Sequence, residues 1–349
     1  MTPEMPNTYI DKRVSILLPQ LEALAPFKPR TRRNGKDNIS GWKQLVIDET
    51  VKLKLTYPDP NPEQERTYGT CLRQISALKK ALQQAAQTDL KDPSNYHRVL
   101  TIIGHFGEAL SFQFAEYKAR QNANYCQQII HRSEPENLIE IDLTPYLQQA
   151  HQVLEQTWEY GFLEEYKWVD VSCAIALVTG RRMAEIHLSA TFEEIGEYEI
   201  GFTGQLKGKS RKIQSHNAEK AIKLRNFRFE IPTLVKAEYV CAGLEWLEEE
   251  GKRLDPNDDP SRVNRRYSKP LSKGVKERWD FMGEDTTYHK LRSAYLFAVM
   301  ENEVIDESLG SVASASRLLK AAAQYLGDEG NMVENYIRFK AKPGMITRV

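Results

Sequence analysis

Apolar residues recur at helical spacing through much of the first third of the chain. Tyr68, Leu72, Ile75, Leu78 and Leu82 fall three and four apart, which lines up one face of a helix. Asn61 suits the N-cap of that helix and Pro62 its first turn, so the pattern predicts a helix over residues 61–86. After Asp92-Pro93 the same periodicity returns over residues 93–132, as one long helix or two. It stops in RSEPENLIEIDLTP, residues 132–145, which carries two prolines. A linker here separates a helical domain over residues 1–135 from a second domain over 136–349.

The second domain mixes two periods. Thr144-Pro145 starts a helix running to about residue 163, and residues 166–179 are apolar nearly all round. A helix of that kind belongs in the core. Tyr198, Ile200 and Phe202 alternate with polar residues, as do Phe227, Phe229 and Ile231, and each set predicts a half-buried strand. Further helices are expected over 235–252, 271–281, 287–300, 311–326 and 331–339. The fold class is α+β, mainly helical: a helical N-terminal domain, then a helical domain with a small antiparallel sheet.

Composition narrows the class. The chain has 349 residues, 41% hydrophobic and 28% charged, as in a soluble globular protein of two domains. No apolar run reaches membrane-spanning length, and the N-terminus lacks an apolar signal core. The expectation is a cytoplasmic protein with no membrane partner. The four cysteines lie far apart without a CxxC pair, which argues against a zinc site or disulfide framework; Cys173 reads as a core residue. His97 and His105 lack a nearby carboxylate cluster, so no metal site is expected.

Net charge is zero, from 48 basic and 48 acidic residues, but it is unevenly spread. Residues 203–228 hold eight Lys/Arg and one acid, and residues 261–279 hold seven and one. FKPRTRRNGK near the N-terminus is also basic, with Trp42 following. Basic blocks in a neutral chain suit a protein that meets a polyanion on one face. For any single block, solvated loops are the competing reading.

The chemistry centres on TGRRMAEIH, residues 179–187. The core helix ends at Thr179-Gly180, and glycine permits a sharp turn. Arg182 then projects from a rigid base, and a planar guanidinium on such a base suits bidentate phosphate binding. The bland alternatives are an ion pair of Arg182 with Glu185, a solvated Arg181, and a packing or hydrogen-bonding role for His187. Lys207 follows in the basic loop, where neighbouring cations favour proton donation. His289 and Arg292, three apart on a helix, share a face. Tyr295, Tyr325 and Tyr336 remain as candidate nucleophiles.

Arg182, Lys207, His289, Arg292 and a late tyrosine, in this order, resemble the catalytic set of the tyrosine recombinases and type IB topoisomerases. Within that superfamily, TGRRMAEIH followed by FTGQLKGKSR is most similar to the telomere resolvases, or protelomerases. The resemblance spans about residues 140–340. It implies a DNA strand transferase that works through a 3′-phosphotyrosyl bond at an inverted repeat and leaves covalently closed hairpin ends. Arg182 and Arg292 would neutralise the scissile phosphate, and Lys207 would protonate the leaving 5′-oxygen. Neither metal nor ATP is implied, so no cofactor is expected. The partners are double-stranded DNA and a second copy of the chain, as a homodimer on the DNA.

The resemblance also selects Tyr336, in NMVENYIRF beyond the Gly327–Gly330 break; Tyr295 and Tyr325 then read as packing residues. The chain departs from the common recombinase pattern in one place. Leu326-Gly327-Asp328 stands where that pattern has Leu-Gly-His, and no histidine follows His289. Asp328 is therefore the candidate for the missing group. Spacing from Arg182 favours Lys207 over Lys209, Arg211 and Lys212. Those three, with Arg265, Arg266, Lys269 and Lys273, are assigned to DNA phosphates. Only 13 residues follow Tyr336, so no further C-terminal DNA-binding domain is expected. The alternatives are an integrase that exchanges strands between two duplexes, separated from the first reading by the wording of these motifs, and a DNA-binding protein that has lost catalysis.

Overall fold

The computed structural model describes residues 8–24, 40–57, 66–161, 165–206, 211–212, 221–222, 224–303, 325–326 and 339–349. The chain divides into two compact units, Met1–Gln127 and Gln128–Val349; the boundary read from the sequence falls a few residues later.

The first unit is helical among its described residues. Helices α1 (Thr8–Glu22), α2 (Ser40–Thr56), α3 (Arg66–Thr88) and α4 (Tyr96–Phe112) pack on one another, and α5 (Ala115–Ser133) begins in this unit. The expected periodic stretch over 93–132 is two helices, broken at Gln113–Phe114. Leu17, Leu21, Leu53, Leu78, Leu82, Ile103 and Phe106 fill the core. The face of α3 predicted from its spacing is buried at Ile75, Leu78 and Leu82. The expected cap at Asn61 and Pro62 lies outside the described residues. A charged pair is sealed in this unit: Arg13 Nη2 and Nε lie 2.6 and 2.8 Å from Glu49 Oε2. Tyr9 Oη donates to the other carboxylate oxygen at 2.9 Å.

The second unit is built around α7 (Trp168–Thr179), flanked by α6 (Thr144–Glu159), α8 (Ala237–Glu249), α9 (Pro260–Arg278) and α10 (Tyr288–Glu303). Every residue from Asp170 to Thr179 is buried, as a helix apolar nearly all round requires. Two glycines let neighbours approach closely. A Cβ on Gly243 of α8 would lie 2.5 Å from Leu154, and one on Gly274 of α9 would lie 2.1 Å from Val169. Cys173 is a core residue, as expected.

A three-stranded antiparallel sheet, in the order β2 (Thr191–Gly196), β3 (Glu199–Thr203), β6 (Phe229–Pro232), covers one side. The two predicted strands pair directly, with Ile200 opposite Ile231 and Phe202 opposite Phe229. Between them Arg211–Lys212 and Ala221–Ile222 form a short ladder, β4 with β5. Strand β1 (Ile139–Ile141) pairs in parallel with β7 (Phe339–Ala341).

Three expectations need correcting. The stretch 132–145 is not a plain linker: it holds the end of α5, a 3₁₀ turn at Pro135–Asn137 and strand β1. Phe339 does not end a helix but starts β7, because it closes the core beside Phe281 and Phe297. Helix α9 starts at Pro260, with Asp259 capping it through Ser261 N at 2.9 Å, and it runs through Pro270. A proline inside a helix removes one backbone bond yet is tolerated where packing holds the rest; here Val263, Tyr267, Leu271 and Val275 are all buried. Among the described residues no helix is long and apolar enough to cross a membrane.

Candidate active site

Helix α7 stops where its glycine turns left-handed. Gly180 has φ 67° and its N–H bonds the carbonyl of Ala176 at 3.0 Å. A side chain here would be strained, and its Cβ would also meet Tyr295 at 2.4 Å and Leu326 at 2.8 Å. Glycine is thus required both for the turn and for the close approach of two other segments. After it the backbone enters a π-helical turn, Glu185–Ser189, closed by Ala190 N to Glu185 O at 2.8 Å. Single π-turns of this kind recur at functional sites.

Both arginines of the box are fixed from inside. Arg182 Nη1 lies 2.8 Å from Glu185 Oε1, and Arg182 N donates to Glu185 Oε2 at 2.9 Å. The Arg182 side chain keeps 12% exposure while Glu185 has none. The ion pair weighed for Arg182 is present, and it leaves this guanidinium at the surface of the site. Arg181 is not the solvated residue expected of a helix end. It is 1% exposed: Nε donates to Thr179 O at 3.2 Å, Nη2 donates to Tyr325 O, and the guanidinium lies 4.4 Å over the Phe202 ring. Its burial depends on partners far off in sequence, which the local pattern does not reveal.

Arg292, on α10, reaches the same turn. Nη1 donates to the carbonyl of Gly180, two residues before Arg182, and Nη2 donates to Leu326 O at 2.8 Å. Gln205 Nε2 donates to that same Leu326 oxygen at 3.1 Å. Three guanidinium groups therefore surround one carboxylate. Burial alone pushes the Glu185 carboxyl up, but Arg182, Arg181 and Arg292 outweigh it and hold it below its ordinary value. Burial pulls Arg181 down to about 10, with Arg292 and Arg182 pushing the same way and Glu185 opposing. Among the described residues the cluster sets three guanidinium groups around one carboxylate, and Arg182 is the most exposed of the three.

The start of the basic loop is anchored here too. Gly204 has φ 102°, and a Cβ on it would lie 1.9 Å from Ser189 O. Ser189 Oγ donates to Gly204 O at 2.5 Å. Gln205 is buried, with its side chain on Leu326 O. Lys207, Lys209, Asp328 and Tyr336 lie outside the described residues, and only the backbone of Arg211 and Lys212 is described. His289 is exposed in the first turn of α10, whereas Arg292 is buried; spacing of three puts them on one helix side at different depths. Arg265, Arg266, Lys269 and Lys273 form an exposed stripe along α9, with Arg266 lying 5.2 Å over the Tyr267 ring.

The packing readings hold for the other candidates. Tyr295 is buried and its hydroxyl donates to Pro232 O at 2.7 Å. His187 is buried and bonded at both ring nitrogens. Sequence reasoning missed Arg181 as a member of the cluster, and it missed Gln205. A polar residue closing an apolar strand was the available signal for Gln205. Among the described residues no group of His, Cys, Asp or Glu is arranged to hold a metal ion.

A sequence model of the telomere resolvase ResT/TelK catalytic domain matches residues 137–331, more than half the chain. The chain belongs to this family, and its activity is that of a telomere resolvase, an enzyme that breaks and rejoins DNA. The overall fold is similar to that of solved protelomerases. A single-substitution variant of protelomerase tela covalently complexed with substrate DNA aligns with TM-score 0.58 at 16% identity, over 96% of this chain and 95% of that one. The selenomethionine form of protelomerase tela, also covalently complexed with substrate DNA, aligns with TM-score 0.57 at 16% identity over 96% and 94%. No curated protein matches the chain by sequence.

Proposed function

We propose that two copies of this chain act on an inverted repeat in double-stranded DNA, each cutting one strand, with Arg182, Lys207, His289, Arg292 and Tyr336 as the reacting set. The observation that carries this reading is the meeting of Arg292 with the Gly180 turn. It brings two arginines 110 positions apart (292 − 182) into one cluster whose guanidinium groups are suited to a phosphate diester.

In the cutting step Tyr336 gives up its phenolic proton to solvent, its Oη attacks the scissile phosphorus, and the bond from phosphorus to the 5′-oxygen breaks. Lys207 gives its proton to that oxygen, and the phosphate stays on the tyrosine as a 3′-phosphotyrosyl ester. Arg182 and Arg292 stabilise the charge that builds on the non-bridging oxygens, with His289 beside them. The freed 5′-hydroxyl then attacks the phosphotyrosine on the opposite strand. One diester is remade, the tyrosine is released, and a hairpin end is closed. Asp328 stands in the place of the second histidine of related recombinases, as a hydrogen-bond acceptor near the reacting groups. The exposed α9 stripe and the basic loop with Lys209, Arg211 and Lys212 would follow the DNA backbone.

Support for attack by each chain's own tyrosine comes from the two ends of the segment that carries it. Leu326 is bonded to Arg292 and Gln205, and Phe339 pairs with Ile139 of β1. Both anchors belong to the unit that holds the arginines. The test is incubation of the protein with inverted-repeat DNA, beside Tyr336→Phe, followed by a denaturing gel. Snap-back strands of double length, absent with the variant, are expected. A covalent complex without snap-back strands would indicate strand exchange of the integrase type instead.

A further inference from the structure

One buried hydrogen-bond chain is left unused by this chemistry. It links the turn after Arg182 to the start of α10, where His289 and Arg292 lie. Tyr288 Oη is 2.8 Å from Ser172 Oγ and 3.0 Å from Ser172 O. Ser172 Oγ is 2.7 Å from His187 Nε2, and His187 Nδ1 is 2.7 Å from the carbonyl of Lys252. Ser172 is a hydroxyl within the mainly apolar α7, and both it and His187 are fully buried. The chain therefore crosses the core helix from one catalytic segment to the other.

The proton positions follow from the partners. A carbonyl only accepts, so the imidazole carries its proton on Nδ1 and donates to Lys252. Nε2 must then accept, and Ser172 Oγ must donate to it. That leaves Tyr288 as donor to Ser172. Its single proton is shared between Ser172 Oγ at 2.8 Å and Ser172 O at 3.0 Å. Burial holds His187 down to about 4, with Arg253 pushing the same way against the bond to Lys252, so the ring stays neutral and the order is kept. The ring itself is clamped. It stacks on Tyr267 at 4.6 Å and 26°, and Trp168 meets its edge at 5.9 Å.

We infer that Tyr288, Ser172 and His187 are positioning residues for DNA cleavage: through this chain they hold the first turn of α10, and with it His289 and Arg292, in register with Arg182. Tyr288 immediately precedes His289 and lies four residues before Arg292. His187 lies five residues after Arg182, in the π-turn that begins at Glu185. Two arginines that share one phosphate must hold their spacing closely, since a misplacement of about 1 Å costs on the order of 100-fold in rate. The inference rests on the resolvase reading of the site.

The test uses the full chain with three variants, Tyr288→Phe, Ser172→Ala and the double variant. Single-turnover formation of the covalent complex is measured on inverted-repeat DNA, with DNA affinity and melting temperature measured beside it. The single variants are expected to slow cleavage about 10-fold to 100-fold, with DNA affinity within about twofold of wild type. The double variant is expected to be no slower than the worse single one, because both break one chain. A substrate with sulfur in place of the leaving 5′-oxygen needs no proton donor. It is expected to restore Lys207→Ala but leave Tyr288→Phe slow. Cleavage by both single variants at the wild-type rate would overturn the inference. So would recovery of Tyr288→Phe on the sulfur substrate, or effects that multiply in the double variant. If the wild-type protein itself forms no covalent complex, the resolvase reading fails, and this inference with it.

Discussion

Among the described residues, each unit buries an arginine–glutamate contact, and the two differ in charge balance. In the first unit one arginine, Arg13, meets one carboxylate, Glu49, which is fully buried and also accepts from Tyr9. Every strong group there has its partner and the charges cancel. In the second unit, among the described residues, three guanidinium groups share the single carboxylate of Glu185, and the Arg182 side chain keeps 12% exposure. A closed, balanced pair ties helices together. A partly exposed cluster built mainly of arginines is suited to an anionic group. Arginine burial alone does not separate structure from function; the local sum of charge does.

The largest expected difference is in stability. Glu49→Ala strands Arg13 without its counter-charge, and breaking a buried pair costs about 3–5 kcal/mol. Denaturant unfolding of the purified variant measures it. Arg182→Ala removes one of three like charges and leaves Glu185 with two, so its stability cost should stay below about 2 kcal/mol. Its cleavage rate should instead fall about 100-fold to 1,000-fold, as when one donor to a transition-state oxyanion is lost. Single-turnover kinetics beside a thermal melt separates the two effects.

The next prediction concerns pH. His187 is lowered from 6.5 to about 4 by burial, which outweighs the bond to the Lys252 carbonyl that favours a charged ring. Its folded value lies below its unfolded value, so the unfolded state takes up protons first. The stability is complete above about pH 6.5 and falls as pH drops toward 4, by about 3 kcal/mol at most. In His187→Gln that portion of the slope should vanish, which pH-dependent unfolding would show. The smallest effect belongs to the α9 stripe. Lys273 is exposed and 3.5 Å from Glu277, so Lys273→Ala should leave stability unchanged and lower the salt slope of DNA binding by about one.

Much of the second unit could be read in the sequence because its cause is local. The all-round apolar run makes α7 a core helix, Gly180 ends it, and Glu185 sits three residues from Arg182 where an ion pair forms. Other features were hidden because their causes are distant. Strand β2 is mostly exposed or half-buried along its length, so it carries no clear alternation. Pro270 looks like a helix start, yet α9 passes through it. Apolar residues of α2 lie on more than one side: Val46 and Leu53 are buried while Ile47, Val51 and Leu55 are exposed, and no single stripe announces the helix. Arg181 joins the site only because Tyr325 and Phe202 arrive from elsewhere. The chain through Ser172, His187 and Tyr288 likewise spans 116 positions.

The central claim is that the arginines around Glu185 receive the scissile phosphate. It is tested most directly by removing the charge from the DNA instead of the protein. Inverted-repeat DNA is made with a neutral methylphosphonate at the scissile position, and cleavage by wild type and by Arg182→Ala is compared on both substrates. The account predicts that Arg182→Ala, slow on the phosphate, regains most of its lost rate on the neutral linkage, because no negative charge then needs the missing guanidinium. Equal impairment on both substrates would contradict it, and would assign Arg182 to holding Glu185 and the turn.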